Sequence, residues 1–223
     1  MLGHRGSAVS CPICGHSFDR FRDDWNRPNA LCWRCGSHER HRALWLYLER
    51  HPSLLRDARS LLHFAPEWCL EHRLREVDGL RYVTADLRPG LAELVLDITQ
   101  LELPDEAFDA ILCSHVLEHV EDDRAAMREL FRVLVPGGWA IVMVPLDLGR
   151  AETYEDPEVR TSADRERLFW QSDHVRLYAP DISARLSQAG FVVEPQEPAT
   201  EDVPRFGLLE SDLVWLCLRS GGA

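Results

Sequence analysis

Short apolar runs alternate with amphipathic stretches along most of the chain beyond residue 58. Met127, Leu130 and Leu134 recur at helical spacing after an acidic start at residues 121–123, and residues 67–77 and 181–189 also predict helices. The apolar runs between these helices predict strands at 59–64, 80–85, 94–97, 108–114, 139–145, 191–194 and 213–218. This alternation predicts an α/β domain with a doubly wound, mostly parallel sheet, in which ligands bind beyond the carboxyl ends of the strands.

The region before this domain is marked by cysteines rather than by apolar periodicity. Two CxxC pairs, with 17 residues between them, fit a four-cysteine zinc site; the four residues are Cys11, Cys14, Cys32 and Cys35. Gly15 and Gly36 follow the pairs, where a small residue lets backbone N–H groups turn toward the sulfurs. We therefore expect a zinc ribbon over 1–38, a connecting helix over 39–57 and the α/β domain over 58–223.

Two roles are open for such a ribbon. A structural zinc organises about 30 residues that cannot bury a core by themselves. The ribbon can also cap a substrate site or recognise a partner, and we favour a structural role with partial capping.

The charge balance excludes several kinds of chemistry. All 25 basic residues are arginine, so a phosphate-loop lysine, a Schiff-base lysine and a lysine general base are excluded. The formal net charge of −12 argues against a nucleic-acid partner, because such proteins usually present a basic face. No apolar run is long enough to span a bilayer and no secretory leader is apparent, so we expect a cytoplasmic protein without a membrane partner. The arginine-only usage favours a GC-rich bacterial source.

The segment "DITQLELPDEAFDAILCSHVLEHVEDDRAAMRELFRVLVPGGWAIVMVP", residues 97–145, resembles the central part of class I S-adenosylmethionine-dependent methyltransferases. With the flanking strands, the resemblance covers about residues 58 to 220. The four-cysteine ribbon, "CGSHERHR" and "LLHFAPE" resemble a smaller subgroup of that family. The resemblance implies a Rossmann-like sheet of seven strands with the last strand antiparallel, and S-adenosylmethionine as the cofactor.

The resemblance also implies where the cofactor binds. Asp86 ends the second strand at the position of the ribose acid, and Asp97 with Ile98 matches the adenine position. The full set of expected cofactor-binding residues is His63, Phe64, Ala65, Glu67, Asp86, Leu87, Asp97, Ile98, Ser114, His115 and Leu117. Simpler interpretations stay open: Asp86 is then a solvated strand-end acid, and Asp97 caps a short helix.

The first turn departs from the family pattern. Residues 63–67 read His-Phe-Ala-Pro-Glu where relatives usually carry a glycine-rich turn, and Pro66 has no N–H to donate. Glu67 can receive the ammonium group of the cofactor, or it can be an ordinary acid of the first helical turn.

Residues 146–178 form a long connection, which we interpret as a lid over the substrate. His174 is our first candidate for the catalytic base, with Asp173 or Glu155 tuning it, and His115 is the second. A surface histidine in a polar loop is an equal alternative for His174. Arg176 binds a substrate anion or forms a surface ion pair, and we expect His119 to cap or pack at a helix start.

Three functional classes follow from these features. The first, which we favour, is a methyltransferase acting at oxygen, nitrogen or carbon of a small-molecule metabolite. The second is an RNA-modifying methyltransferase with a zinc ribbon, against which the net charge argues. The third is a non-methylating binding or scaffold protein on the same fold, which the altered first turn keeps open. The sequence does not specify an oligomeric state.

Overall fold

The computed structural model describes residues 5–25 and 27–221. Two antiparallel hairpins come first, followed by two helices. The hairpins are β1 (Arg5–Ser10) with β2 (Ser17–Phe18) and β3 (Arg22–Asp24) with β4 (Arg27–Leu31); the helices are α1 (Glu39–Arg50) and α2 (Pro52–Asp57). The connection over 39–57 is thus two helices rather than one, because Pro52 cannot continue the hydrogen bonding of α1 and instead starts α2.

A seven-stranded sheet with flanking helices makes up the rest of the chain. Its elements are β5 (Ser60–Phe64), α3 (Trp68–Leu74), β6 (Arg81–Asp86), β7 (Leu94–Val95), β8 (Phe108–Ser114), a 3-10 turn (Leu117–His119), α4 (Asp123–Val133), β9 (Leu134–Met143), α5 (Ser162–Phe169), α6 (Ile182–Gln188), β10 (Val192–Gln196), α7 (Asp202–Phe206) and β11 (Val214–Leu218). The strand order is β10-β11-β9-β8-β5-β6-β7. Among these seven strands, β11 alone runs in the opposite direction to the rest. The mostly parallel, doubly wound sheet predicted from the sequence is therefore confirmed.

Alternate residues of the central strands enter two separate cores. Leu62 and Ile111 face the core that α4 and α6 cover, whereas Leu61 and Ala110 face a core shared with α1, α3 and the N-terminal hairpins. Phe21 of the hairpin region is fully buried in this second core. The cysteine-bearing region therefore packs on the sheet through apolar contacts.

The β9 strand begins earlier than the sequence predicts. We expected it to start at Trp139, after Pro136, Gly137 and Gly138, but it starts at Leu134 and carries these three residues as an irregularity in its pairing with β8. A Cβ at Gly138 would stand 2.8 Å from the carbonyl oxygen of Asp109. Gly138 thus permits two backbones to approach closely inside a strand. From the sequence pattern, the same residue was expected to stop the preceding helix.

Two connections contain helices that we did not predict. The segment 146–178 includes α5, and Leu146 and Tyr154 form single bridges to Tyr178 and Leu177. The connection after β10 includes α7. Within the described ranges, no helix has the length and hydrophobicity needed to cross a membrane.

Candidate functional site

The carboxyl ends of three adjacent parallel strands define the candidate site. β8, β5 and β6 lie side by side, so Ser114, Phe64 and Asp86 end at the same edge of the sheet. The chain leaves this edge through short turns, and most of the residues expected to bind the cofactor lie in or beside these turns, whereas Asp97 and Ile98 follow β7, the next strand of the sheet. Phe64 and Leu117 are buried in the apolar core.

The first turn is tied to the connecting helix by a buried polar chain. Ala65 has a positive φ of 48°, and its N–H donates to the carbonyl of Ala85 at 2.8 Å. His63 Nε2 lies 3.0 Å from Glu67 Oε2, while Glu67 Oε1 lies 3.3 Å from His41 Nε2 on α1. Because the carboxylate of Glu67 can only accept, His63 donates to it from Nε2, and Nδ1 of His63 lies 2.7 Å from the Tyr82 hydroxyl. Glu67 therefore bridges two histidines and is more than an ordinary first-turn acid.

The electrostatics of Glu67 follow from these partners. Burial opposes ionisation, but the hydrogen bonds from His41 and His63 hold the pKa of Glu67 well below its usual range. Burial lowers the pKa of His41 to about 4, so this imidazole is neutral near pH 7. With a side chain that is 15% exposed, Glu67 keeps one face open at the site.

Asp86 and Asp97, which follow neighbouring strands, differ in the hydrogen bonds that they already accept. Asp86 Oδ1 accepts the backbone N–H of Arg88 at 2.8 Å, which leaves Oδ2 for another donor. Asp97 Oδ1 accepts both the N–H and the hydroxyl of Thr99, at 2.8 and 2.7 Å. Hydrogen bonds from Thr99 lower the pKa of Asp97. Asp97 thus caps a turn and not the short helix that we kept as its alternative, and the buried Ile98 lies beside it.

The β8 turn places an unpartnered hydroxyl and an imidazole at the edge. Ser114 Oγ is buried and has no hydrogen-bond partner among the described residues. His115 has a positive φ of 55°, and its N–H donates to the carbonyl of Met143 at 2.8 Å. Its Nδ1 lies 3.2 Å from Oε1 of Glu118. Leu87, beyond β6, is 66% exposed and offers an apolar surface at the same edge.

His174 is buried instead of lying at the surface of a polar loop. Its Nδ1 lies 2.8 Å from the carbonyl oxygen of Phe169, and its ring packs edge-on against His119, with 4.7 Å between centroids. A carbonyl only accepts, so Nδ1 carries the proton and Nε2 keeps a lone pair. Burial lowers the pKa of His174, which keeps the ring neutral near pH 7.

The structure gathers residues at His174 that our sequence reasoning did not assign to the site. Potential ligand atoms of Glu118, His119 and His174 all lie within 4.8 Å of one another. We expected His119 to cap or pack at a helix start, but it faces His174. The signal that could have revealed the cluster is the His-x-x-Glu-His spacing of residues 115–119 directly after a buried strand.

Two expectations about the lid are wrong. Glu155 does not tune His174; it binds Arg176 at 3.0 Å and Arg185 at 2.8 Å. Arg176 is neither exposed nor a free anion anchor, because its buried guanidinium donates to the carbonyls of Leu117, Val120 and Glu121. Arg176 therefore fastens the end of the 146–178 segment to the turn after β8.

The four ribbon cysteines bring their sulfurs together. The Cys11 and Cys35 sulfurs are 3.6 Å apart, those of Cys14 and Cys32 are 3.7 Å apart, and all four lie within 4.8 Å. None is in a disulfide. A tetrahedral zinc with Zn–S bonds of about 2.3 Å places its sulfurs about 3.8 Å apart, so both the spacing and the donors suit this ion.

The backbone around the sulfurs matches a pair of tight turns. Gly15 and Gly36 have φ values of 71° and 68°, a conformation that glycine adopts readily. Their N–H groups donate to the carbonyls of Cys11 and Cys32 at 2.9 and 3.0 Å.

Comparison with known proteins gives consistent results. Residues 68–142 match the family described as Methyltransferase domain. The malonyl-[acyl-carrier protein] O-methyltransferase of Serratia marcescens is 30% identical over 124 residues, covering 51% of this chain and 45% of that protein. The demethylmenaquinone methyltransferase of Mycobacterium marinum is 31% identical over 109 residues, covering 43% of this chain and 47% of that protein. The chain thus spans less than half the length of the curated relatives it matches.

A solved structure extends the likeness across the sheet. The S-adenosylmethionine-dependent methyltransferase from Mesorhizobium loti superposes with a TM-score of 0.55 at 18% identity, covering 79% of this chain and 97% of that one. At this identity the likeness establishes the fold. Residues 68–142 are therefore similar to a methyltransferase domain, and the sheet around them has the Rossmann-like fold of the solved methyltransferase.

Proposed function

We propose that the protein is an S-adenosylmethionine-dependent methyltransferase that acts on a small molecule. The observation that carries the proposal is the sheet edge, at which Asp86, Ser114 and His115 lie at the ends of β6 and β8. Among the described residues, Oδ2 of Asp86 and Oγ of Ser114 have no hydrogen-bond partner. The family match over residues 68–142 supports the reaction class, and the relatives named for malonyl-acyl-carrier-protein and demethylmenaquinone methylation support a small acceptor.

The residues at this edge fit the cofactor. Asp86 accepts hydrogen bonds from the ribose hydroxyls, and Leu87 with Ile98 provides apolar contact for the adenine. Glu67, already fixed by two histidines, presents a carboxylate to the ammonium group, and Ser114 supplies a hydroxyl to the methionine portion. When bound, S-adenosylmethionine supplies an electrophilic methyl group. The other cofactor positions, His63, Phe64, Ala65, Asp97, His115 and Leu117, shape the same turns, mainly through their backbone.

The chain's own contribution to methyl transfer is alignment and proton acceptance. We propose His174 and His115 as the proton acceptors, with His174 the stronger candidate because its Nε2 keeps a lone pair. Burial lowers the pKa of both imidazoles, so both are neutral near pH 7. A neutral imidazole accepts a proton from a hydroxyl or ammonium nucleophile, whereas a charged one does not.

An RNA substrate fits the structure less well. The densest arginine motif, "HERHR" at residues 38–42, points partly inward, since Arg42 is fully buried under the hairpins. The net charge of −12 further weakens binding to a polyanion.

We also propose that Cys11, Cys14, Cys32 and Cys35 hold a structural zinc and that the ribbon helps to close the site. The link is α1, which packs beneath the hairpins and reaches Glu67 through His41. The ribbon thus supports the cofactor turn through this helix.

Titration calorimetry with S-adenosylmethionine and S-adenosylhomocysteine tests the proposal. The wild-type protein is expected to bind both, and Asp86→Ala is expected to weaken binding by about 1–3 kcal/mol, the scale of losing hydrogen bonds to a polar partner. Asp78→Ala is the matched control, because Asp78 is exposed near the opposite edge of the sheet. Binding of neither ligand by the wild-type protein would reduce the methyltransferase proposal to a statement about fold, and unchanged affinity in Asp86→Ala would remove Asp86 from the site.

A further inference from the structure

We propose that Glu118, His119 and His174 form a binding site for a divalent first-row metal ion, separate from the four-cysteine site. The three residues come from two distant parts of the chain: Glu118 and His119 follow β8, and His174 lies in the 146–178 segment, after α5. Their potential ligand atoms lie within 4.8 Å of one another. A bound ion with bonds of about 2.1 Å draws such atoms to roughly 3–3.5 Å, a change that rotation of the part-exposed His119 ring can supply.

Glu118 is the first reason to expect a cation. Its side chain is 1% exposed, and neither carboxylate oxygen has a hydrogen-bond partner among the described residues. The imidazole of His115 lies near one of them, with Nδ1 3.2 Å from Oε1. A buried carboxylate with no closer polar partner among the described residues is costly, and coordination of a cation would satisfy it.

The orientation of the two imidazoles is the second reason. His174 donates its Nδ1 proton to the carbonyl of Phe169, and His119 Nδ1 lies 3.3 Å from Oδ2 of Asp173. In metal sites, a ligating histidine typically gives its other ring nitrogen to a carbonyl or a carboxylate in this way. Nε2 of each ring is therefore available as a ligand. When an ion occupies the site, His174 is a ligand, and His115 is then the proton acceptor of the proposed function.

The donor set specifies the class of ion and its chemistry. Two imidazoles and one carboxylate leave coordination positions open, as in catalytic zinc sites and in sites of other first-row metals. The site follows β8 directly, next to the turn that we assign to the methionine portion of the cofactor. Resting on the proposed function, the inference narrows the acceptor to a molecule with a hydroxyl or carboxylate oxygen, which an open position of the ion can bind and polarise.

Metal content separates this site from the ribbon. Zinc-loaded protein, dialysed free of loose ion, is expected to hold one equivalent more than the ribbon binds, and His119→Ala and His174→Ala are each expected to lose that equivalent while keeping the ribbon's. His72→Ala is the matched control, because this histidine is exposed on α3, outside the two segments that supply the three ligands. Electron paramagnetic resonance with Mn²⁺, an ion that prefers oxygen and nitrogen over thiolate, is expected to show bound Mn²⁺ in the wild-type protein and at least tenfold weaker binding in Glu118→Gln.

The same samples distinguish the two proposals. No extra zinc equivalent and no bound Mn²⁺ in the wild-type protein would overturn the metal site, even if S-adenosylmethionine binds. Extra metal that persists in both histidine variants would also overturn it, because the ion would then lie elsewhere. Loss of metal with retained S-adenosylmethionine binding supports the site, whereas a wild-type protein that binds metal but not S-adenosylmethionine contradicts only the proposed function. Far-ultraviolet circular dichroism of each variant checks that it is folded.

Discussion

Replacement of Arg42 is expected to loosen the whole N-terminal region from the sheet. The Arg42 side chain is fully buried on α1, and its guanidinium donates to four carbonyls: Phe206 at 2.6 Å, Ala30 at 2.9 Å, and Ser37 and Gly207 at 2.7 Å. Two of these carbonyls belong to the cysteine-bearing region and two to the end of α7. One side chain therefore joins segments that are more than 160 residues apart in the chain.

The size of the effect follows from opposing contributions. Hydrogen bonds from a charged donor contribute roughly 1.5–3 kcal/mol each, but burial of the guanidinium has a desolvation cost that offsets part of the sum. Removal of one partner from a buried charged network typically costs about 3–5 kcal/mol, so we expect Arg42→Met to lower the free energy of unfolding by about 4 kcal/mol. Arg42→Lys should recover little of this loss, because a single ammonium cannot reach four carbonyls arranged around a planar fork.

Urea unfolding followed by circular dichroism measures the change, with zinc content determined on the same samples. Arg56→Met is the matched control, because Arg56 is exposed and pairs only with the adjacent Asp57 among the contacts described. A loss below about 1 kcal/mol in Arg42→Met, or full recovery in Arg42→Lys, would show that the four carbonyl contacts do not hold the hairpins to the sheet.

Three further predictions concern the metal ribbon, a buried acid and a helix end. Cys32→Ser should release zinc and lower the unfolding free energy by several kcal/mol, within the roughly 10–16 kcal/mol that structural zinc contributes. Cys69→Ala, the control, should keep its zinc, and mass-spectrometric metal analysis measures the zinc content of both variants. Burial raises the pKa of Asp212 to about 7, so the folded state resists ionisation and stability falls as pH rises from about 4 to 7. The stability of Asp212→Asn relative to the wild-type protein in urea should therefore increase by about 3 kcal/mol between pH 5 and pH 8, and an unchanged difference would contradict the shift. Gly190→Ala should lower the unfolding free energy by about 1–3 kcal/mol more than Gly79→Ala does in thermal unfolding. Both residues have a positive φ, but of the two only a Cβ at Gly190 would meet an aromatic ring, that of Phe131, at 2.9 Å. Equal losses of stability would mean that the ring moves aside.

The sheet could be predicted because its strands are short apolar runs between amphipathic helices, and each such run has one stable place in a doubly wound fold. The strand 108–114 has the same ends in prediction and structure, since an exposed turn precedes it and a polar turn follows it. The start of β9 could not be predicted, because Gly138 lies where the chain passes close to the backbone of Asp109, and this approach depends on the neighbouring strand β8. Pairing across a sheet is a long-range property, and a glycine's local preference does not reveal it.

The site was predictable only in part, for a related reason. The strand ends locate Asp86 and Ser114, because the carboxyl edge of a parallel sheet follows from strand direction alone. The partners of charged side chains do not follow from it. Arg176 and Glu155 seemed free to act on substrate or on His174, but three backbone carbonyls and a second arginine occupy them. Contacts between segments decide which charges remain free.

The connecting helix α1 relates the ribbon to the chemistry of the sheet edge. Arg42 on this helix binds the carbonyls of the cysteine-bearing region, and His41, its neighbour, reaches Glu67 in the first turn. This chain holds Ala65 in a left-handed conformation and anchors the next acid, Glu67, through two histidines. The cysteine-bearing hairpins, the helix and the turn are therefore parts of one arrangement: Arg42 holds α1 to the hairpins, and His41 on α1 contacts the carboxylate that the turn presents.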